Sequence, residues 1–143
     1  MIGLDFDGVV ADLTYVKEEL GKDFLPEEEV ITVSNALLPP VPGVEEVLYS
    51  GKIKAIVSKR KFRTSLMSWF KYWFGGVPSG IWVFCIGSRN KVDIVKELNL
   101  KVFVDDNWFI VSQLKAVVPY ALWFDVKVHG NLYSFLRKKG VLK

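Results

Sequence analysis

The chain has 143 residues, of which 50% are apolar and 24% charged, with a formal net charge of +3. That length and balance fit one globular domain with its own core, and they exclude a low-complexity or charge-driven disordered chain. A single cysteine, Cys85, excludes an intramolecular disulfide, and a single histidine, His129, excludes a multi-histidine zinc site within one chain, so carboxylates are the expected chemical actors.

Taken in chain order, the first apolar run is Ile2–Phe6, a predicted strand that carries Asp5 and leads into Asp7 and Gly8. Its MIGLDFDGVV start lacks a basic flank and a small-residue cleavage site, so it does not read as a signal peptide. Residues 13–38 break the pattern that follows and are expected to form a small insert. They lead to Pro39-Pro40-Val41-Pro42-Gly43, which ends any regular element. A second strand is predicted over Ile53–Val57, ending at Ser58 and followed by Lys59 and Arg60, and a helix over Thr64–Phe74. A third strand, Ile81–Ile86, ends at Gly87-Ser88-Arg89-Asn90-Lys91, with a helix over Lys91–Leu98. The fourth, Lys101–Val104, ends at Asp105-Asp106-Asn107, with a helix over Asn107–Val117. The fifth, Tyr120–Phe124, ends at Asp125, and a last helix is expected over Leu132–Lys139.

Short, partly β-branched runs alternating with helices predict an α/β fold in three layers, a parallel sheet with helices on both faces, in a single domain spanning 1–143. In such sheets ligands sit beyond the carboxyl ends of the strands. That edge collects acids on the first and fourth strands and a hydroxyl with bases on the second and third. No run approaches the roughly 18 apolar residues of a membrane span, and the cysteine usage suits a reducing, cytoplasmic setting.

Carboxylates from two strand ends suit a hard cation such as magnesium, which takes oxygen ligands. Asp5 is placed to attack a phosphoryl group, and Asp7 to protonate the leaving oxygen and then activate water. Ser58 and Lys91 are candidates to hold phosphoryl oxygens, helped by free N–H groups at the start of the helix that Lys91 opens.

The stretch DFDGVVAD resembles the first motif of the haloacid dehalogenase superfamily of phosphatases. Ser58 resembles its second motif, Lys91 its third and Val104-Asp105-Asp106 its fourth, in order along nearly the whole chain. Ser88-Arg89-Asn90-Lys91 and VFVDDN are most similar to the deoxyribonucleotidase branch and related nucleotidases. The resemblance implies a Rossmann-like fold, with Asp5 as nucleophile and Asp7 as acid and base. It implies Mg2+ held by Asp5, Asp7 through its carbonyl, and Asp105, with Asp106 in support. It also implies Arg89 contacting phosphate beside Lys91, with Gly8 in the phosphate-binding loop. The expected partner is a small-molecule phosphate ester such as a nucleotide. Deoxyribonucleotidases carry a larger helical cap with aromatic residues, whereas the insert here offers Tyr15 and Phe24. An open site for a bulky substrate, such as a polynucleotide end or a phosphoprotein, is therefore the alternative, together with a non-catalytic interaction domain on the same fold.

Other features read more plainly. Lys59-Arg60-Lys61-Phe62-Arg63 is a basic run that usually marks a solvated face. Its place beside the phosphate site would let it steer anions, but no recognised nucleic-acid module accompanies it. Leu66, Trp69, Phe70 and Trp73 form one apolar helical stripe; Tyr72 and Phe74, partly off it, are read first as core and in the alternative as a homodimer surface. His129 reads as an exposed turn residue, Asp12 as a helix cap, Cys85 as a small strand residue, and Asp125 receives no role.

Overall fold

The computed structural model describes residues 1–14 and 38–143. The expected insert at 13–38, with Tyr15 and Phe24, falls almost wholly outside the described residues. The described elements are β1 (Ile2–Leu4), α1 (Val44–Leu48), β2 (Ile53–Ser58), α2 (Arg63–Phe74), β3 (Trp82–Cys85), α3 (Lys91–Glu97), β4 (Val102–Asp105), α4 (Trp108–Leu114), β5 (Tyr120–Trp123), α5 (Val126–His129) and α6 (Leu132–Lys138). The predicted strands and helices are all present, with ends shifted by one to three residues.

All five strands are parallel, in the order β3-β2-β1-β4-β5. The chain steps outward from β1 to β3, then returns past β1 to build β4 and β5. The direction of winding therefore reverses between β1 and β4, where loops leaving the two strands diverge and open a crevice. Ile2 pairs with Val102 and Leu4 with Val104, so Asp5 and Asp105 emerge side by side at the strands' carboxyl ends. The Asp5 N–H donates to the Val104 carbonyl at 2.8 Å and extends the pairing by one residue.

Both faces of the sheet are covered, which explains the continuous apolar runs of the strands. On one face Ile2, Leu4, Ile56 and Val104 pack with α1, α2 and α6 through Val47, Leu66, Trp69, Phe70, Leu132 and Leu136. On the other, Ala55, Val57 and Phe103 pack with α3 and α4 through Val95 and Leu114. Gly3 lies in the middle of β1 and lets this second core close. A Cβ there would sit 2.5 Å from a Leu100 methyl. Trp69 is ringed by Phe6, Phe70 and Phe74 at centroid distances of 5.1, 5.2 and 5.7 Å. Truncating a ring buried this deeply costs about 3–5 kcal/mol.

Three expectations need correction. The short helices α1 and α5 were not foreseen. His129 is not an exposed turn residue: it closes α5, its ring packs on Phe124, Trp123 and Phe135, and its Nδ1 accepts the Asp125 N–H at 3.0 Å. Asp125 has a role as the N-cap of α5, accepting the Lys127 N–H at 2.8 Å. Among the described residues, no helix is long and apolar enough to cross a membrane.

Candidate functional site

The loop after β1 sets the geometry. The N–H groups of Val9, Val10 and Ala11 converge on the Phe6 carbonyl, and Gly8 N–H bonds to the Ala11 carbonyl at 2.8 Å. This tight turn needs a residue with positive φ, and Gly8 has φ +88°. A side chain there would also fall on the Asp106 carboxylate, so Gly8 lets the β1 and β4 loops meet.

Lys91, the first residue of α3, lies at the centre of the crevice. Its ammonium reaches Asp5 Oδ1 and Asp105 Oδ2, both at 2.7 Å, and its side chain is 3% exposed. A lysine has three donors, so one remains beyond these two contacts. The Lys91 ammonium also lies 5.4 Å from the centroid of the Phe103 ring. Asp105 is fixed by its other oxygen, which accepts the Asn107 N–H at 2.9 Å. Its Oδ2 is held by the ion pair with Lys91. Asp106 completes the group: one carboxylate oxygen each from Asp5, Asp105 and Asp106 lies within 4.8 Å of the others. Trp123 holds the Asp106 backbone by donating its indole N–H to the Asp106 carbonyl at 3.0 Å.

Three carboxylates around one ammonium leave an excess of negative charge in a dry crevice. Burial first, and then the neighbouring Asp105, hold the Asp5 carboxyl well above its ordinary 3.8, although Lys91 pulls the other way. Burial works against the Lys91 ammonium, but Asp5 and Asp105 outweigh it, and its pKa is raised. Oxygen-only donors and three converging acids suit a hard divalent cation, which would share Asp105 Oδ2 with Lys91. The residues present therefore fit magnesium.

Asp7 has a different environment. Its carboxylate takes a two-pronged ion pair from Arg60, with Nε to Oδ2 at 2.9 Å and NH2 to Oδ1 at 2.5 Å. Its side chain is 31% exposed, and it is not part of the three-carboxylate group. Arg60 is itself buried. Its NH1 donates to Ser65 Oγ at 3.1 Å, its guanidinium lies 4.9 Å from the Phe6 ring centre, and its N–H bonds to Ser58 Oγ at 3.1 Å. The basic run is therefore not uniformly a solvated face. Sequence reasoning missed Arg60 among four other residues that are exposed. The available signal was its place two residues beyond Ser58, where a chain leaving β2 still turns toward the crevice.

Ser58 ends β2, 1% exposed, and its hydroxyl makes no other hydrogen bond among the described residues. Arg89 is not beside Lys91 at the carboxylates. It is exposed, with its Nε turned to the Ile86 carbonyl at 3.3 Å. The expectation of free N–H groups ahead of Lys91 also needs correction, because the Asn90 side chain caps α3 and accepts from Val92 and Asp93. Asn107 does the same for α4, taking the N–H groups of Phe109 and Ile110. Asp12 Oδ1 accepts the Thr14 N–H at 2.9 Å, a local capping contact.

No protein-family model matches the chain, and it has no significant match to a curated protein or to a solved structure.

Proposed function

We propose that the chain is a magnesium-dependent phosphate monoester hydrolase of the haloacid dehalogenase type, with Asp5 as nucleophile. The observation that carries this reading is the buried Asp5–Lys91–Asp105 group, with Asp106 beside it, at the crevice between β1 and β4. Asp5, Asp105 and Asp106 would hold the metal. When bound, magnesium supplies positive charge that keeps these carboxylates ionised and draws electron density from a phosphoryl oxygen.

Lys91 holds Asp5 by Oδ1 and leaves Oδ2 without a hydrogen-bond partner among the described residues. In the first step an Asp5 oxygen forms a bond to phosphorus while the bond from phosphorus to the ester oxygen breaks. Asp7 gives its proton to that departing oxygen. In the second step water attacks the aspartyl-phosphate, Asp7 takes the water's proton, and inorganic phosphate leaves as the Asp5 carboxylate is restored. The Ser58 hydroxyl, whose oxygen accepts the Arg60 N–H and whose proton can still be donated, and the third donor of Lys91 suit the developing charge on the phosphoryl oxygens.

One observation favours a second reading, a metal-dependent domain that binds phosphate without turnover. Both oxygens of Asp7 are occupied by Arg60. A single experiment separates the two: phosphate release from a panel of nucleotides and sugar phosphates, with magnesium and with chelator, for wild type and Asp5→Asn. The hydrolase reading expects release that needs both magnesium and Asp5. Folded wild type that binds magnesium and releases nothing from any ester would establish the second reading in its place.

A further inference from the structure

Beside the carboxylate crevice, over the carboxyl ends of β2 and β3, lies a separate groove lined by Lys59, Lys61, Gly87, Ser88 and Arg89, with Cys85 at its base. It is built by the pairing of Ser58 with Cys85, which brings the loops after β2 and β3 together. Two bonds fix its shape. Lys59 Nζ donates to the Arg89 carbonyl at 2.8 Å, and the Gly87 N–H bonds to the Arg60 carbonyl at 3.3 Å. The second bond joins the groove to the Arg60–Asp7 pair, so groove and crevice share one rim.

The charge along this rim is unequal. Among the described residues, three cations and no acid line the groove. Among the described residues neither Lys59 nor Arg89 has a carboxylate within ion-pair reach, and both side chains are tied only to carbonyl oxygens. On the far side of the crevice, the described residues lining the cavity over β4 and β5 include Asp12, Asp106 and Asp125 with one cation, Lys127. With Asp106 at the metal, Asp12 and Asp125 remain on the β4–β5 side, and an anionic substrate with its scissile phosphate at Asp5 is drawn to the β2–β3 side. With strands spaced at ~4.8 Å, the groove lies about 10 Å from the β1–β4 crevice.

We infer that this groove takes a second anionic group of the same substrate, a phosphate or phosphodiester about 10 Å from the scissile phosphate. The assignment rests on the hydrolase reading for which end is cleaved, while occupancy of the groove does not depend on turnover. The substrate class is then a nucleoside bisphosphate or a phosphate-terminated oligonucleotide, and simple monophosphates fill the crevice alone.

Cys85, the chain's single cysteine, lines the groove and reports its occupancy directly. The experiment measures iodoacetamide labelling of Cys85 in the Asp5→Asn chain, which binds without consuming the probe. The probes are pentathymidylate with a terminal phosphate, thymidine 3′,5′-bisphosphate, p-nitrophenyl phosphate and thymidine. The first two are expected to slow labelling, and the last two are not. Protection by the bisphosphate assigns the groove to one further phosphate, and protection by pentathymidylate alone assigns it to a phosphodiester chain. For two cationic contacts on a single strand, raising salt from about 50 to about 200 mM should weaken binding about 7-fold. The Lys59→Glu, Arg89→Glu double variant should lose both the protection and the salt dependence. In wild type, the double variant should lower kcat/KM on the phosphorylated oligonucleotide relative to that on p-nitrophenyl phosphate. Labelling that no phosphorylated probe slows, or protection that survives the charge reversal, overturns the inference. Protection in Asp5→Asn, with a wild type that hydrolyses none of the esters, supports the groove and counts against the hydrolase reading alone.

Discussion

Asp5 and Asp7 are separated by one residue, yet they sit in opposite electrostatic settings. Asp5 lies on the floor, where Lys91 serves it and Asp105 together and Asp106 adds a third acid. Asp7 lies at the rim, one-third exposed, with a guanidinium to itself. The floor therefore carries excess negative charge in a dry place, which a cation relieves. The rim is already neutral and touches water, where protons can be exchanged. Strand alternation would send residues two apart to one face, so the comparison teaches that the tight turn beyond β1 gives two identical residues different tasks.

The largest effect expected from breaking this difference is at the floor. Asp5→Asn should lower phosphate release by on the order of 10^4-fold or more, as removal of a covalent nucleophile does. The same variant should be more stable than wild type in chelator at neutral pH, because it removes a carboxylate held above its ordinary 3.8 by burial and Asp105. The sign follows from proton uptake. The folded state holds the Asp5 proton to higher pH than the unfolded state. Its contribution is therefore fully present below about 3.8 and lost as pH rises through the raised value. Thermal midpoints of the two proteins in chelator should diverge across that interval, and magnesium should close the gap at neutral pH. Equal midpoints at every pH would show that Asp5 is not strained by its surroundings.

Removing the cation from each pair sharpens the contrast. Lys91→Met leaves Asp5 and Asp105 buried without compensation and should cost about 3–5 kcal/mol, much of it returned by magnesium. Arg60→Gln leaves an acid that water reaches, and should cost about 1–3 kcal/mol with no magnesium response. Denaturant unfolding with and without magnesium measures both. A larger loss at Arg60 than at Lys91 would reverse the assignment of floor and rim.

The rim's effect on chemistry should depend on the leaving group. Asp7→Asn should slow an alkyl phosphate about 10^2–10^4-fold, the ordinary range for general acid catalysis. It should slow p-nitrophenyl phosphate far less in the first step, since nitrophenolate departs without a proton. If Arg60 serves to aim Asp7, Arg60→Gln should show the same split and Arg60→Lys should partly restore it. An equal loss on both esters would leave Arg60 a structural role only.

Much of this was legible in the sequence because a doubly covered parallel sheet writes its strands as short apolar runs. Ile2–Phe6 and Lys101–Val104 were legible as strands, but their adjacency, which makes Asp5 and Asp105 neighbours, came only with the strand order. Arg60 was hidden because the residues beside it are basic and exposed, and composition does not show which of five consecutive residues turns inward. Helix α5 was hidden because Val126-Lys127-Val128 alternates like a strand. Only the Asp125 cap distinguishes it. Arg89 was assigned to the crevice by the resemblance of Ser88-Arg89-Asn90-Lys91 to the deoxyribonucleotidase branch, but the chain after Gly87 places it at the groove.

The smallest expected effect tests how finely the floor is positioned. Lys91 begins α3 and Asp105 ends β4 just before α4, and each flank is pinned by an asparagine cap, Asn90 and Asn107. Replacing either by alanine should cost about 1 kcal/mol of stability. The consequences should differ. Asn107 holds Asp105 through its own backbone N–H, a bond that survives the substitution, whereas Asn90 fixes the first turn from which Lys91 reaches both acids. Asn90→Ala should therefore lower the magnesium concentration needed for half-maximal turnover more than Asn107→Ala at equal loss of stability, because a loosened ammonium leaves more of the carboxylate charge to the metal. A magnesium titration of turnover for the two variants decides this. Equal shifts would mean that the acids themselves, not the lysine between them, set the affinity of the floor.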